Sequence, residues 1–178
     1  MGYKDELVRS MEWLAAKEDT LFLGQSVKYS GNAIFNTLKT VSDDKKIELP
    51  VAEDLQMGMS TGLALEGFVP ITCYPRFDFL LLACNQLVNH LDKIDFMSKG
   101  LMRPRVIIRT SIGAKKPLDG GVQHTQDHTN AFRSLLENVE VVLLNEPDEI
   151  LPAFQRAYER EDRKSTLMVE WGDYYNDK

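Results

Sequence analysis

The chain has 178 residues, 43% of them hydrophobic and 27% charged, which fits one globular domain with a core of its own. Its formal net charge is −6 with a pI near 5.1, and no basic run exceeds the pairs Lys45-Lys46 and Lys115-Lys116, so nucleic acid and anionic membrane surfaces are disfavoured as partners. No stretch approaches the roughly 18 apolar residues of a membrane span, and the charged, amphipathic residues 1–20 lack the apolar run of a secretory signal, so a cytoplasmic protein is expected.

In chain order, apolar residues at helical spacing (Leu7, Met11, Leu14, Ala15) predict a helix over 4–17. Residues 21–24 read as a short buried strand stopped by Gly24, 32–39 as a helix and 46–49 as extended. A helix of small side chains follows over 53–66, then a strand over 68–73 and a long helix over 77–97, broken once. The β-branched centre of 105–109 predicts a strand, and residues 110–127 form a loop too long to be an ordinary connection. A strand over 139–144, a helix over 147–160 started by Pro147 and Asp148, and a strand over 167–170 complete the order. This alternation predicts an α/β fold, a mostly parallel sheet with helices on both faces. Ligands in such folds sit beyond the carboxyl ends of the strands. Glu53, residues 74–79, residues 111–113 and Asn145 all follow predicted strands and would share that rim.

The most informative segment is Pro50-Val51-Ala52-Glu53-Asp54, running on through Gly58 and Gly62 to Gly67. A carboxylate half-buried at a strand-to-helix turn can hold or share a proton near neutral pH, which argues for a site. Each helical glycine costs up to about 1 kcal/mol relative to alanine, so Gly58 and Gly62 imply another backbone close by, in the sheet or in a symmetry mate. Among the aromatic residues after the strand at 68–73, Phe77 reads as core. His124 and His128 lie four apart, yet no cysteine or third histidine joins them, so a histidine at the end of a mobile loop suits proton transfer better than metal binding. His90, inside an apolar helix, reads as structural, and Cys73 and Cys84 as buried reduced thiols. No glycine-rich phosphate loop and no serine nucleophile elbow is present.

Taken together, the run from Pro50 to Ile71, Phe77-Asp78-Phe79 with Gln86-Leu87-Val88-Asn89-His90 downstream, and Gly120-Gly121-Val122-Gln123-His124-Thr125-Gln126 resemble the pyrimidine-binding domain of transketolase-like, thiamine-diphosphate-dependent enzymes, above all the beta subunit of the 2-oxo acid dehydrogenase first component (the pyruvate dehydrogenase type). The resemblance implies that Glu53 hydrogen-bonds N1′ of the cofactor's aminopyrimidine and shares a proton with it, a task a carboxylic acid can do and an amide cannot. It also implies that Phe79 stacks on the pyrimidine, that Val51 and Pro75 line the same pocket, and that His124 faces the substrate. Where that family carries an acidic pair after the first strand, this chain has Gln25-Ser26, which puts a proton relay between paired sites in question.

The resemblance further implies a single pyrimidine-binding domain over 1–178, without the family's second domain. The motif for Mg2+ and the diphosphate is missing, Gly172-Asp173-Tyr174 being only a fragment of it. A separate, alpha-type subunit would then supply Mg2+ and the diphosphate site, in a heterotetramer built on dimerised pyrimidine subunits, with the glycine-bearing helix and Met57-Gly58-Met59 suited to an interface. The expected reaction is decarboxylation of a 2-oxo acid, with acyl or aldehyde transfer. A split transketolase, a small two-subunit 2-oxo acid decarboxylase and a non-catalytic assembly or regulatory subunit are the alternatives.

Overall fold

The computed structural model describes residues 1–177. Helix α1 (Tyr3–Ala15) leads into β1 (Thr20–Gly24), and β2 (Lys46–Glu48) into α2 (Glu53–Leu65). Strand β3 (Val69–Tyr74) is followed by a short α3 (Phe77–Leu80), a 3-10 turn, a π-helical segment (Asn85–Leu91) and α4 (Ile94–Met97). Then come β4 (Ile107–Ile112), α5 (Thr129–Leu135), β5 (Glu140–Leu143), α6 (Pro147–Glu159), β6 (Thr166–Trp171) and α7 (Tyr174–Asp177).

The six strands form one parallel sheet in the order β2-β1-β3-β4-β6-β5. Successive residues of a strand point to opposite faces, so a central strand covered on both sides must be apolar throughout. Ile107 and Met168 enter a core under α1 and α6, with Leu7, Met11, Leu14 and Phe154. Their neighbours Ile108, Leu167 and Val169 enter a second core with Met57, Phe77, Leu80, Leu87 and Phe132. The helices thus form two layers, one on each face of the sheet, and enclose two cores with the sheet between them. The chain leaves β1 outward to β2 and returns to β3 on the other side of β1. That reversal opens a crevice at the carboxyl ends of β1 and β3.

Several local expectations change. Residues 32–39 give only a 3-10 turn at Ile34–Thr37, and 77–97 breaks more than once, into α, 3-10, π and α pieces. Strand β4 runs three residues past the expected end, because Thr110, Ser111 and Ile112 pair with Val169, Glu170 and Trp171. Helices α5 and α7 were not expected. The glycines of α2 do not meet the sheet: the helix buries Gln56, Met57, Ser60, Thr61 and Ala64, which leaves Gly58 and Gly62 on other faces. A side chain at Gly58 would meet only Gln86, at 3.8 Å, and one at Gly62 would meet nothing within 4 Å. Met57 is fully buried, so it faces the chain's own core rather than an interface. His90 is exposed, and Phe77 is core as its spacing implied. Both cysteines are free; burial pushes the Cys73 thiol up to about 11, while Cys84 is only half-buried.

Candidate active site

Because every strand runs the same way, the residues just after β1, β2, β3 and β4 share one rim. At the reversal point this rim holds a cleft of about 200 Å³ whose walls include Gln25, Ser26, Pro75, Arg76, Phe79 and Gly113. A wider, open hollow of about 840 Å³ lies among Lys93, Phe96, Lys99 and Arg103, just before β4 and so toward the opposite end of the sheet. The smaller cleft is the candidate, since it sits where strand geometry gathers loop residues.

The walls are built by local hydrogen bonds. After β1 the backbone turns through a left-handed Ser26 (φ 56°). The Glu48 carboxylate, at the end of β2, accepts the N–H groups of Ser26, Val27 and Lys28 and so fixes this turn. After β3 the Pro75 carbonyl accepts the Ser111 hydroxyl at 2.8 Å, which ties the aromatic segment to β4. Phe79 stands in the cleft wall, with the His124 ring edge-on to it at a centroid distance of 5.7 Å and 88° between planes.

His124 lies on the loop that follows β4. Its Nδ1 is 2.9 Å from the Gly120 carbonyl, which can only accept, so Nδ1 carries the proton and Nε2 is the nitrogen left for other chemistry. The loop passes close to the end of β4 at Gly113, where a Cβ would stand 1.8 Å from the His124 carbonyl oxygen, so only glycine fits. Behind the loop, the Asp78 carboxylate accepts the Gln126 amide at 2.7 Å and lies 3.7 Å from His128 Nε2, while the His128 ring packs edge-on against Phe77. His124 and His128 therefore have different neighbours and different settings.

Glu53 opens α2, where a carboxylate suits the positive end of the helix dipole. The Tyr74 phenol donates to its backbone carbonyl at 3.2 Å and ties the helix start to the end of β3. Burial pushes that phenol well above its ordinary value, against the hydrogen bond from Thr72, so it remains a donor through neutral pH. Gln56, one turn on, donates from its amide to the Thr72 hydroxyl and the Cys73 carbonyl. The half-buried Glu53 carboxylate has no hydrogen bond or ion pair among the described residues. Val51, just before the helix, is 65% exposed.

The structure thus gathers Pro75, Phe79 and His124 around one cleft, and sets Glu53 and Val51 at the start of α2, outside that cleft's lining. Sequence reasoning passed over Arg76 and Asp78, and noted Gln25 and Ser26 only as a departure. Their place directly after strands at the reversal point was the available signal. Among the described residues no group of three His, Cys, Asp or Glu side chains could hold a metal, and no helix is long and apolar enough to cross a membrane.

Residues 9–174 match the family described as "Transketolase, pyrimidine binding domain". The chain is similar to the 3-methyl-2-oxobutanoate dehydrogenase subunit beta of Mycobacterium tuberculosis H37Rv, 29% identical over 143 residues, which cover 76% of this chain and 39% of that protein. It is similar as well to the pyruvate dehydrogenase E1 component subunit beta of Chaetosphaeridium globosum, 30% identical over 131 residues, covering 74% and 38%. The chain therefore spans about two-fifths of the length of these relatives. Among solved structures, one titled "Split gene transketolase, inactive beta4 tetramer" superposes with a TM-score of 0.73 at 15% identity, covering 96% of this chain and 51% of that one, which is a likeness of fold.

Proposed function

Since the chain belongs to the transketolase pyrimidine-binding domain family, we propose that it is the pyrimidine-binding part of a thiamine-diphosphate enzyme acting on a 2-oxo acid, by decarboxylation with acyl or aldehyde transfer. In this reading a separate subunit supplies Mg2+ and the diphosphate site. The observation that carries the proposal is the Glu53 carboxylate: half-buried at the strand rim, on a helix start anchored by Tyr74, and without a protein partner. Its oxygens are not sealed in the core, so the carboxylate is open to a hydrogen bond from a bound ligand.

The donor set is right in kind for thiamine diphosphate, with the Glu53 carboxylate at the start of α2 and the Phe79 ring in the cleft wall. Glu53, Phe79, Pro75 and Val51 would hold its pyrimidine half, and when bound the cofactor supplies a carbanion-stabilising centre for chemistry at a carbonyl carbon. Glu53 would hold a proton at the cofactor's aminopyrimidine, and Phe79, with Pro75 beside it in the cleft wall, would orient that ring. His124, with Nδ1 donated to Gly120, presents Nε2 to move a proton to or from the substrate oxygen.

A partner is supported by the surface around Glu53. Val51 is 65% exposed, Leu55 55% and Leu82 64%, and the turn bearing Leu82 packs beside α2, whose Gly62 faces open space. Large apolar side chains exposed together around a site mark an interaction surface. The test is Glu53→Gln in the chain reconstituted with its diphosphate-binding partner. Turnover should fall by at least about a hundredfold, the usual scale of a lost proton-transfer group, with the fold intact. Normal turnover in that variant would end the proposal.

A further inference from the structure

Arg76 is held in an unusual way for a surface cation. It follows β3 directly, between Pro75 and Phe77, and its guanidinium runs beside the backbone of the loop that carries His124. A Cβ at Gly113 would stand 2.6 Å from Arg76 Nη1, and one at Gly120 3.7 Å from it, so two glycines leave room for the group. Among the described residues the guanidinium makes one hydrogen bond, from Nη1 to the His124 carbonyl at 3.3 Å. A guanidinium has five N–H donors in a fixed fork. Four remain, and no carboxylate faces them among the described residues.

Arg76 is also where two clefts meet. Besides the cleft of about 200 Å³ that holds Pro75 and Phe79, it lines an adjoining one of about 310 Å³, to which Lys4 and Lys116 contribute. The two share Ala33, Arg76, Ala114 and Gly172 and so form one continuous groove. Neither lysine has an acidic partner among the described residues. The carboxylates nearby are already engaged: Asp173 accepts the N–H groups of Lys115 and Lys116 at 2.7 and 3.1 Å, Glu170 is paired with Arg109, and Glu48 holds the turn after β1. Asp173 and Glu48 keep their charge, but each is turned onto backbone N–H groups, which leaves Arg76, Lys4 and Lys116 without an ion pair along one groove of a chain with net charge −6. Such a wall attracts anions, and a planar guanidinium suits the oxygens of a phosphate or carboxylate.

We propose that this groove binds an anionic group at the far end of the substrate, a phosphate or a carboxylate other than the one beside the reacting carbonyl. Arg76 makes the main contact, with Lys116 and Lys4 behind it. A substrate reaching these cations has its other end toward Phe79, so the groove selects for a charged tail and against purely aliphatic 2-oxo acids. The identification of the anion as part of a substrate rests on the function proposed above; the anion site itself does not.

The test is therefore made without cofactor. Backbone and arginine side-chain NMR resonances of the full chain are followed during titration with inorganic phosphate and, separately, with glutarate, against sodium chloride at matched ionic strength. The expected result is saturable shifts at Arg76, Gly113 and Lys116 with one of the two probes beyond those in chloride. Phosphate alone assigns a phosphorylated substrate, and glutarate alone a dicarboxylic one. Arg76→Gln should weaken binding by more than about tenfold, the scale of charge-assisted hydrogen bonds. Lys116→Gln, an exposed change that leaves the fold alone, should weaken it by about two- to fivefold. Shifts that follow chloride, or equal affinity in the Lys116→Gln protein and its parent, would overturn the site. Failure of the chain and its diphosphate-binding partner together to bind thiamine diphosphate, by contrast, would sink the proposed function and leave these shifts in place.

Discussion

Arg109 lies in the middle of β4 with no exposed surface, in bidentate contact with Glu170 (Nε to Oε1 2.7 Å, Nη2 to Oε2 3.0 Å) and within 3.2 Å of the Thr37 hydroxyl. Tyr175 donates its phenol to the same carboxylate. Burial works against the Arg109 charge, but Glu170 beside it holds the proton on the guanidinium well above the ordinary value. Such a pair adds little net stability, yet removing one member strands the other in the core. Arg109→Met should therefore destabilise the fold by about 3–5 kcal/mol, read from chemical denaturation. The double change Arg109→Met with Glu170→Leu should recover most of that loss. A mild effect of the single change would show that the pair is not buried as described. The same pair explains a limit of sequence reading: an arginine after Val106-Ile107-Ile108 looks like a strand end, and only its partner across the sheet makes it core.

Larger pieces of the chain show the same division between local and long-range information. Strands β1, β3 and β6 and helices α1, α2 and α6 were legible, because apolar runs and amphipathic spacing are local signals. The polar end of β4 was not, since Thr110 and Ser111 become strand only by pairing with β6. Helix α5 was missed because it is seven residues long, and in it only Thr129 and Phe132 are buried. Pro75, Phe79 and His124 could be named through the resemblance, whereas Arg76 carries no periodicity and acquires meaning only when Gly113 and the His124 loop close around it.

One junction makes a pH prediction. Asp92, at the end of the π-helical segment, is fully buried and accepts the N–H groups of Glu137, Asn138 and Val139, with Lys93 at 3.0 Å. Burial raises its pKa, but Lys93 and the three N–H groups outweigh that, so the carboxyl titrates below its ordinary value of 3.8. A depressed carboxyl contributes stability that is present above the unfolded value and is lost as pH falls through the folded one. The melting temperature should drop below about pH 4, and less steeply in Asp92→Asn, which begins from a lower value at neutral pH. Parallel curves for the two proteins would remove Asp92 from the acid response.

For the molecule entire, the sheet gives a rigid base, its reversal at β1 and β3 gives the cleft, and the apolar surface around α2 leaves the Glu53 region open to a partner. The chain spans about two-fifths of its relatives' length, and the proposed function assigns the diphosphate site to a second subunit. The most direct test is calorimetry with thiamine diphosphate and Mg2+, on this chain alone, on the candidate diphosphate-binding partner alone, and on the two mixed. Binding is expected only in the mixture, and more weakly when the chain carries Glu53→Gln. Tight binding to the partner alone, unchanged by adding this chain, or no binding in the mixture would contradict the account.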